Sequence, residues 1–351
     1  MTMSFVHVSN PQRVVFAPDD AARAVSDEVE RLGVRRLMLI GSSGGHADRL
    51  AEGLPVAIRQ HEVTMHVPVE LADTARERVK IADVDAVMSV GGGSAIGLAK
   101  AVALTTGLPI IAVPTSFAGS EATDMWGMTQ NATKSTGVDP RVLPRAVIYD
   151  ATLTASMPSN MAVASGLNAL AHGVDSMWAP RSDPIDQALA EEAIRSLAYG
   201  LGEIVDDPGA ISGRERTLYG AYLAAVAFAS AGSGLHHKVC HVLGGMFNLP
   251  HAQTHAVVLP HVVALNAPAD DAANTRISRA LGSSTANDGL ADLYQRLDAP
   301  RSLAELGMPE AGIERAALAI IGVMPAGNPV ELTEVNLAAL LRRAWKGTPI
   351  T

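Results

Sequence analysis

Five of the eleven histidines in this 351-residue chain fall within twenty residues: His236, His237, His241, His251 and His255. In a helix, His237 and His241 are i,i+4 neighbours, so both imidazoles project from one face. A second helical stretch, 166–172, carries His172 four residues after Asn168. This spacing suits a divalent-metal site, yet Asn168 offers only a neutral amide where such an ion favours a charged or imidazole ligand. The chemistry expected is therefore that of imidazoles: proton transfer, hydrogen bonds to a developing oxyanion, and attraction of carboxylates near neutral pH. His172, His237, His241 and His251 lie on apolar helical backgrounds or directly after Pro250, and are read as one catalytic and substrate-binding site. His255, four residues after His251, can join it as a substrate-binding residue. His236 is expected to face elsewhere, and His7, His46 and His61 to be ordinary surface or core residues. Cys240 adjoins His241, but neighbours on a helix face different directions, so it is expected to be a buried, inert thiol.

Glycine-rich turns supply a second kind of site. Gly91-Gly92-Gly93-Ser94 stands between a strand pattern and a helix pattern, where missing side chains let a pyrophosphate approach the backbone and the helix start offers amide donors. It is not the dinucleotide fingerprint, because Ile96 stands where the third glycine would fall; a plain tight turn is the alternative. A second small-residue loop, 114–124, follows the next strand. Two such loops suit a long ligand, and the cofactor-binding candidates are Gly41, Gly92, Gly93, Ser94, Thr115, Ser116, Ser120, Thr123 and Lys134. Lys134 and Lys238 are also candidate anion partners, although either can be a solvated side chain. Gly41-Ser42-Ser43 stands where an acidic residue would hold an adenosine 2′-hydroxyl, so a 2′-phosphate meets no repulsion and both NADH and NADPH are expected to serve.

The elements that must position these residues change character midway. Up to residue 157, short apolar strands (13–17, 36–40, 62–67, 85–90, 109–113, 146–149) alternate with helical patterns (20–32, 71–81, 95–106), which implies a parallel sheet with crossover helices. From Pro158 onward the strand signals vanish and Ala- and Leu-rich helices follow at 160–179, 184–199, 214–231, 236–247 and 254–266, with shorter ones at 269–281, 290–297, 312–324 and 334–343. The fold expected is an α/β Rossmann-like parallel-sheet domain over 1–157 and an all-helical substrate and catalytic domain over 158–351.

Composition narrows the partners. A net charge of −9 argues against nucleic acid and anionic membranes, and 48% hydrophobic with 18% charged residues fits an enzyme with an ample core. No apolar run reaches membrane-spanning length. Residues 1–11 lack the basic and apolar regions of a secretory signal. A single cysteine excludes an intramolecular disulfide framework, and a cytoplasmic location is expected.

With Gly91-Gly92-Gly93-Ser94, Pro114-Thr115-Ser116 with Gly119-Ser120, Asn168-x3-His172 and His237-x3-His241-x9-His251 in place, the chain resembles the iron-containing alcohol dehydrogenase superfamily over nearly its whole length. Within it, the segments 116–123 and 250–255 resemble the maleylacetate reductase branch. The resemblance implies a dehydroquinate synthase-like two-domain architecture, a nicotinamide cofactor in the cleft between the domains, and a homodimer. In metal-dependent members an aspartate at the position of Asn168, with the positions of His172, His237 and His251, holds iron or zinc, while His241 lies near the nicotinamide. Asn168 departs from that set, as the reductase branch does, so no metal is expected here. The implied reaction is reduction of the activated C=C bond of maleylacetate, a small dicarboxylate, to 3-oxoadipate in aromatic-compound degradation. His241 and His172 are the candidates for proton donation and enolate stabilisation, and His237, His251 and His255 for holding carboxylates. Two alternatives stand open: a metal-dependent alcohol dehydrogenase that tolerates Asn168, and a lyase of the dehydroquinate synthase type.

Overall fold

Strands of four to six residues with almost no polar side chain can only be central strands of a sheet covered on both faces. LMLI, AVMSVG, IIAVP and AVIY are such strands in the computed structural model, which describes residues 3–130, 133–324 and 326–349. The chain divides into two compact units: Asn10–Met157, and Pro158 onward joined by the segment that ends at Ser9.

The first unit is built on a six-stranded parallel sheet. Its strands are β1 (Arg13–Phe16), β2 (Leu37–Ile40), β3 (Val56–Gln60), β4 (Ala86–Gly91), β5 (Ile110–Pro114) and β8 (Ala146–Tyr149), in the order β1-β8-β5-β4-β2-β3. Alternate side chains feed two cores. Leu37, Leu39, Met88 and Ile111 pack with α1 (Ala21–Arg31) and α2 (His46–Leu50) on one face; Met38, Ile40, Val87 and Ile110 pack with α3 (Val69–Ile81) and α4 (Gly93–Thr106) on the other. From β2 the chain steps through α2 to β3 on one side, whereas from β4 it steps through α4 to β5 on the other. β2 and β4 pair directly, with Ile40 opposite Ser89. Their carboxyl ends therefore flank the switch point, where doubly wound sheets bind ligands.

Two expectations need correction. The strand expected at 62–67 lies instead at Val56–Gln60, and His66 and Val67 take φ of 64° and 47°, which no strand tolerates. A hairpin absent from the expected elements, β6 (Met125–Gln130) and β7 (Thr133–Val138), pairs antiparallel apart from the main sheet.

The second unit is helical: α5 (Ser159–Ser176), α6 (Pro184–Asp206), α7 (Ile211–Ala231), α8 (Leu235–Phe247), α9 (His251–Asn266), α10 (Asp271–Leu281), α11 (Ala286–Arg296), α12 (Ile313–Ile321) and α13 (Glu334–Lys346). α5 is buried along most of its length among α6, α7 and α9, and α8 packs on α9. The chain bends by 95° between α7 and α8, at Gly232 with its left-handed φ of 88°. No single helix among the described residues is long and apolar enough to cross a membrane.

Candidate active site

The glycine turns of the first unit are shaped by contacts only a glycine permits. A Cβ on Gly41, just past β2, would lie 2.6 Å from the Ala47 Cβ and 2.9 Å from the Val90 carbonyl oxygen, so α2 and β4 can close on this strand end only without it. Gly91 has φ of 154°, and a Cβ there would lie 2.9 Å from Ala95. Gly92 caps α4 in extended conformation, and no side chain makes a capping hydrogen bond at the helix start. The Thr115 amide donates to the Gly91 carbonyl at 3.1 Å, and a Cβ on Gly92 would come within 3.1 Å of Ser116 Oγ. Gly92, Gly93, Ser94, Thr115 and Ser116 thus lie together around the uncapped start of a fourteen-residue helix, which offers amide donors and a positive dipole end to a phosphate.

The second loop is held by a residue the sequence reading passed over. Lys100 is buried in α4, and its Nζ donates to the carbonyls of Ser120 (2.7 Å), Thr123 (2.8 Å) and Met125 (2.7 Å) and to Thr123 Oγ1 (3.1 Å). Burial lowers its pKa to about 7 against the pull of Glu121 and Asp124; three carbonyl acceptors favour the ammonium. Thr123 is turned inward by this lock and serves the loop, with Ser120 contributing its carbonyl. A lone lysine within the apolar run 95–106 was the available signal. The side chain of Lys134 lies outside the described residues.

In the second unit, three helices bring the predicted histidines together. α5 supplies Asn168, His172 and Asp175 at i, i+4 and i+7; α8 supplies His236, His237 and His241; α9 supplies His251 and His255. His172 stacks on His237 at 4.9 Å between centroids and 12° between planes, and Phe228 packs against both. His237 lies 6.0 Å from His241 and 4.9 Å from His255, which lies 4.4 Å from His251. His237 and His255 are buried, His172 is half-buried, and His241 and His251 are exposed. His236 does not face away: it is fully buried, and its Nε2 is 2.9 Å from His255 Nδ1. Cys240 is buried and free, with burial pushing its thiol pKa well up.

Asp175 organises the cluster, and the sequence reading missed it although it lies one turn beyond His172. Its carboxylate accepts from the amides of Gly234 (2.9 Å), His236 (3.1 Å) and His237 (3.4 Å), capping α8, and contacts His237 Nδ1 at 2.8 Å. A Cβ at Gly234 would lie 2.6 Å from Asp175 Oδ1, so this close approach requires the glycine. The carboxylate fixes the His237 proton on Nδ1 and leaves Nε2, buried and without a partner, as a lone pair. Desolvation sets the rest of the electrostatics: it lowers His172 to about 4 and takes His236, His237 and His255 well below the usual imidazole value. These four rings are therefore neutral at pH 7, because burial favours the imidazole over the imidazolium.

Family models for the iron-containing alcohol dehydrogenases match both units, at residues 11–151 and, for the C-terminal part, 162–345. The chain belongs to the iron-containing alcohol dehydrogenase family. It is an NAD(P)H-dependent oxidoreductase, with the fold expected of that family. It is 44% identical to a maleylacetate reductase of Sphingobium indicum over 99% of both chains. Among solved structures, an iron-containing alcohol dehydrogenase from Corynebacterium glutamicum superposes with a TM-score of 0.97 at 50% identity, covering 99% of this chain and 98% of that one. A maleylacetate reductase from Agrobacterium tumefaciens superposes with a TM-score of 0.94 at 38% identity, covering 99% and 100%.

The metal in this family's name fits the residues here poorly. Asn168, His172, His237 and His251 form a wholly neutral donor set, weak for a divalent ion. Nor do His172, His237 and His251 gather their nitrogens to a common point: the described groups with three donor atoms within 4.8 Å of one another are His236–Cys240–His255 and His7–Asp183–Asp186. The buried Asn168 Oδ1 has no partner. The nicotinamide cofactor is the opposite case, since the uncapped α4 start and its glycine cradle suit a pyrophosphate.

Proposed function

We propose that this chain reduces the C=C bond of maleylacetate with NADH or NADPH, giving 3-oxoadipate in aromatic-compound degradation, without a resident metal. The observation that carries the reading is a cluster of five buried or half-buried polar residues (Asn168, His172, His236, His237, His255) whose only carboxylate among the described residues, Asp175, is spent on His237 and α8. A bound reduced nicotinamide would supply the hydride for the alkene carbon β to the ketone. The ketone oxygen then carries enolate charge, and the adjacent carbon takes a proton. His172, neutral and stacked on His237, donates its N–H to the enolate oxygen. His241, exposed on the next turn from His237, delivers the proton to carbon. His251 opens α9, whose first turn has no side-chain cap and no acidic residue, so helix dipole and imidazole together draw a substrate carboxylate. His237, held by Asp175, positions His172 and shapes the pocket with His255.

Gly41, Gly92, Gly93, Ser94, Thr115 and Ser116 would hold the cofactor, while Ser120 and Thr123, bound to Lys100, would shape the adjoining loop, and Lys134 keeps its proposed role as an anion partner. No acidic residue follows β2, which supports use of both NADH and NADPH. Met3, Val6 and Val8 are exposed on the N-terminal segment, apolar surface that a second copy of the chain would cover, in keeping with a homodimer; a cytoplasmic location completes the reading. A second reading, metal-dependent alcohol oxidation, draws on the Asp175–His237 contact, because metal-binding imidazoles are often oriented this way. The two are separated by following NADH oxidation with maleylacetate and identifying the product by mass. 3-Oxoadipate supports reduction of the alkene; a hydroxy acid with its C=C intact refutes it.

A further inference from the structure

Away from the histidine cluster, His7 meets two buried carboxylates. Asp183 caps α6: its Oδ1 accepts from the amides of Ile185 (2.8 Å) and Asp186 (3.0 Å), which leaves Oδ2 for His7 Nδ1 at 2.9 Å. Asp186 Oδ1 lies 3.6 Å from the same nitrogen, and Ser230 Oγ, at the end of α7, lies 3.4 Å from it. The Asp186 side chain is fully buried, and neither of its oxygens makes a well-formed hydrogen bond. Among the described residues, His7 is the only ion-pair partner of either carboxylate. Against burial, two amides and His7 hold the Asp183 carboxyl below its usual value, whereas burial, and after it Asp183, raises the Asp186 carboxyl pKa against the pull of Ser230 and His7, so Asp186 is the under-compensated group.

We propose that His7, Asp183, Asp186 and Ser230 bind a divalent cation of the zinc class, which clasps the N-terminal segment to α6 and α7. Charge and geometry both point there. Two carboxylates neutralise a divalent ion, and one imidazole selects a transition ion over magnesium or calcium. Tetrahedral zinc with arms of about 2.0 Å places its ligand atoms roughly 3.3 Å apart. The separations from His7 Nδ1, 2.9, 3.6 and 3.4 Å, bracket that value, so small side-chain rotations suffice. The ion replaces the proton now shared by His7 and Asp183, and the half-buried His7 ring is the side from which it enters. This site shares no residue with the active-site reading and stands whether or not that reading does.

The test uses the full chain without an affinity tag, stripped by chelation and titrated with Zn²⁺ by calorimetry and with Co²⁺ by optical absorption. The wild type is expected to bind one ion with a rise in thermal midpoint. Loss of a direct ligand should cost at least the roughly 10- to 100-fold that outer-shell partners are worth, so Asp186→Asn and His7→Gln weaken binding by that much. His251→Ala, which alters the active-site cluster, leaves the event intact. Asp186→Asn should fold at least as well as the metal-free wild type, because it removes a buried, poorly compensated charge. No binding by the wild type, or binding that survives Asp186→Asn and His7→Gln but is lost in His251→Ala, overturns the proposal.

Discussion

Asp175→Asn is the substitution in which stability and chemistry separate most clearly. The carboxylate accepts three amides of α8 and one imidazole N–H. Asparagine keeps one acceptor oxygen, enough for one or two of these, and turns an N–H toward His237 Nδ1. Charge-assisted hydrogen bonds contribute about 1.5–3 kcal/mol each. Desolvation already raises the Asp175 pKa, so removing the charge returns part of that loss. A net destabilisation of about 2 kcal/mol is expected, read by urea denaturation. The chemical effect is larger. The His237 proton must move to Nε2, and a wrong tautomer beside a reacting group costs roughly 10²- to 10⁴-fold in kcat. Nitrogen NMR of the imidazoles reads the tautomer independently of activity. A folded Asp175→Asn protein with kcat within about twofold of wild type would refute the claim that Asp175 works through His237.

Gly91→Ala should weaken nucleotide binding by about tenfold or more, because the strained φ and the 2.9 Å approach to Ala95 displace the start of α4; fluorescence titration with NADH checks this, and unchanged affinity would reduce the turn to a mere connection. Stability should fall as pH drops from 7 to 5. His172 and His261, each lowered to about 4, stay neutral in the fold while the unfolded chain takes up protons below about 6.5, so the stability they contribute is complete above that value and is lost toward pH 4. The loss is about 2 kcal/mol per histidine, and urea midpoints that do not move over this range would contradict it. His241→Ala should lower kcat by roughly 10²-fold with little change in KM, whereas wild-type turnover with weakened substrate binding would shift proton delivery to His172.

Much of this was legible in residue types and spacing. The triple glycine marked the β4–α4 turn, and the i,i+4 histidines marked the face of α8 that meets α5 and α9. What escaped has physical causes. Val56–Gln60 follows Pro55 and mixes buried and exposed positions, whereas 62–67 imitates a strand that the positive φ of His66 and Val67 forbids. His236 stands at the wrong helical angle to join His237 directly, but α9 brings His255 to it. Asp175 and Lys100 were obscured because each lies within an otherwise apolar stretch and works on backbone, through partners 59 and 20 to 25 residues away. Sequence spacing shows which residues share a face; it does not show which distant amides a buried charge will find.

The central claim, reduction by imidazoles without a resident metal, is tested most directly by assaying maleylacetate-dependent NADH oxidation before and after exhaustive chelation, with metal content measured on the same samples. The account predicts undiminished turnover, no stoichiometric iron or zinc at the Asn168–His172–His237–His251 set, and a gain of metal affinity there only in Asn168→Asp, where a charged ligand is restored beside His172. About one metal per chain removed from that set, with activity lost on its removal and regained on its return, would contradict it.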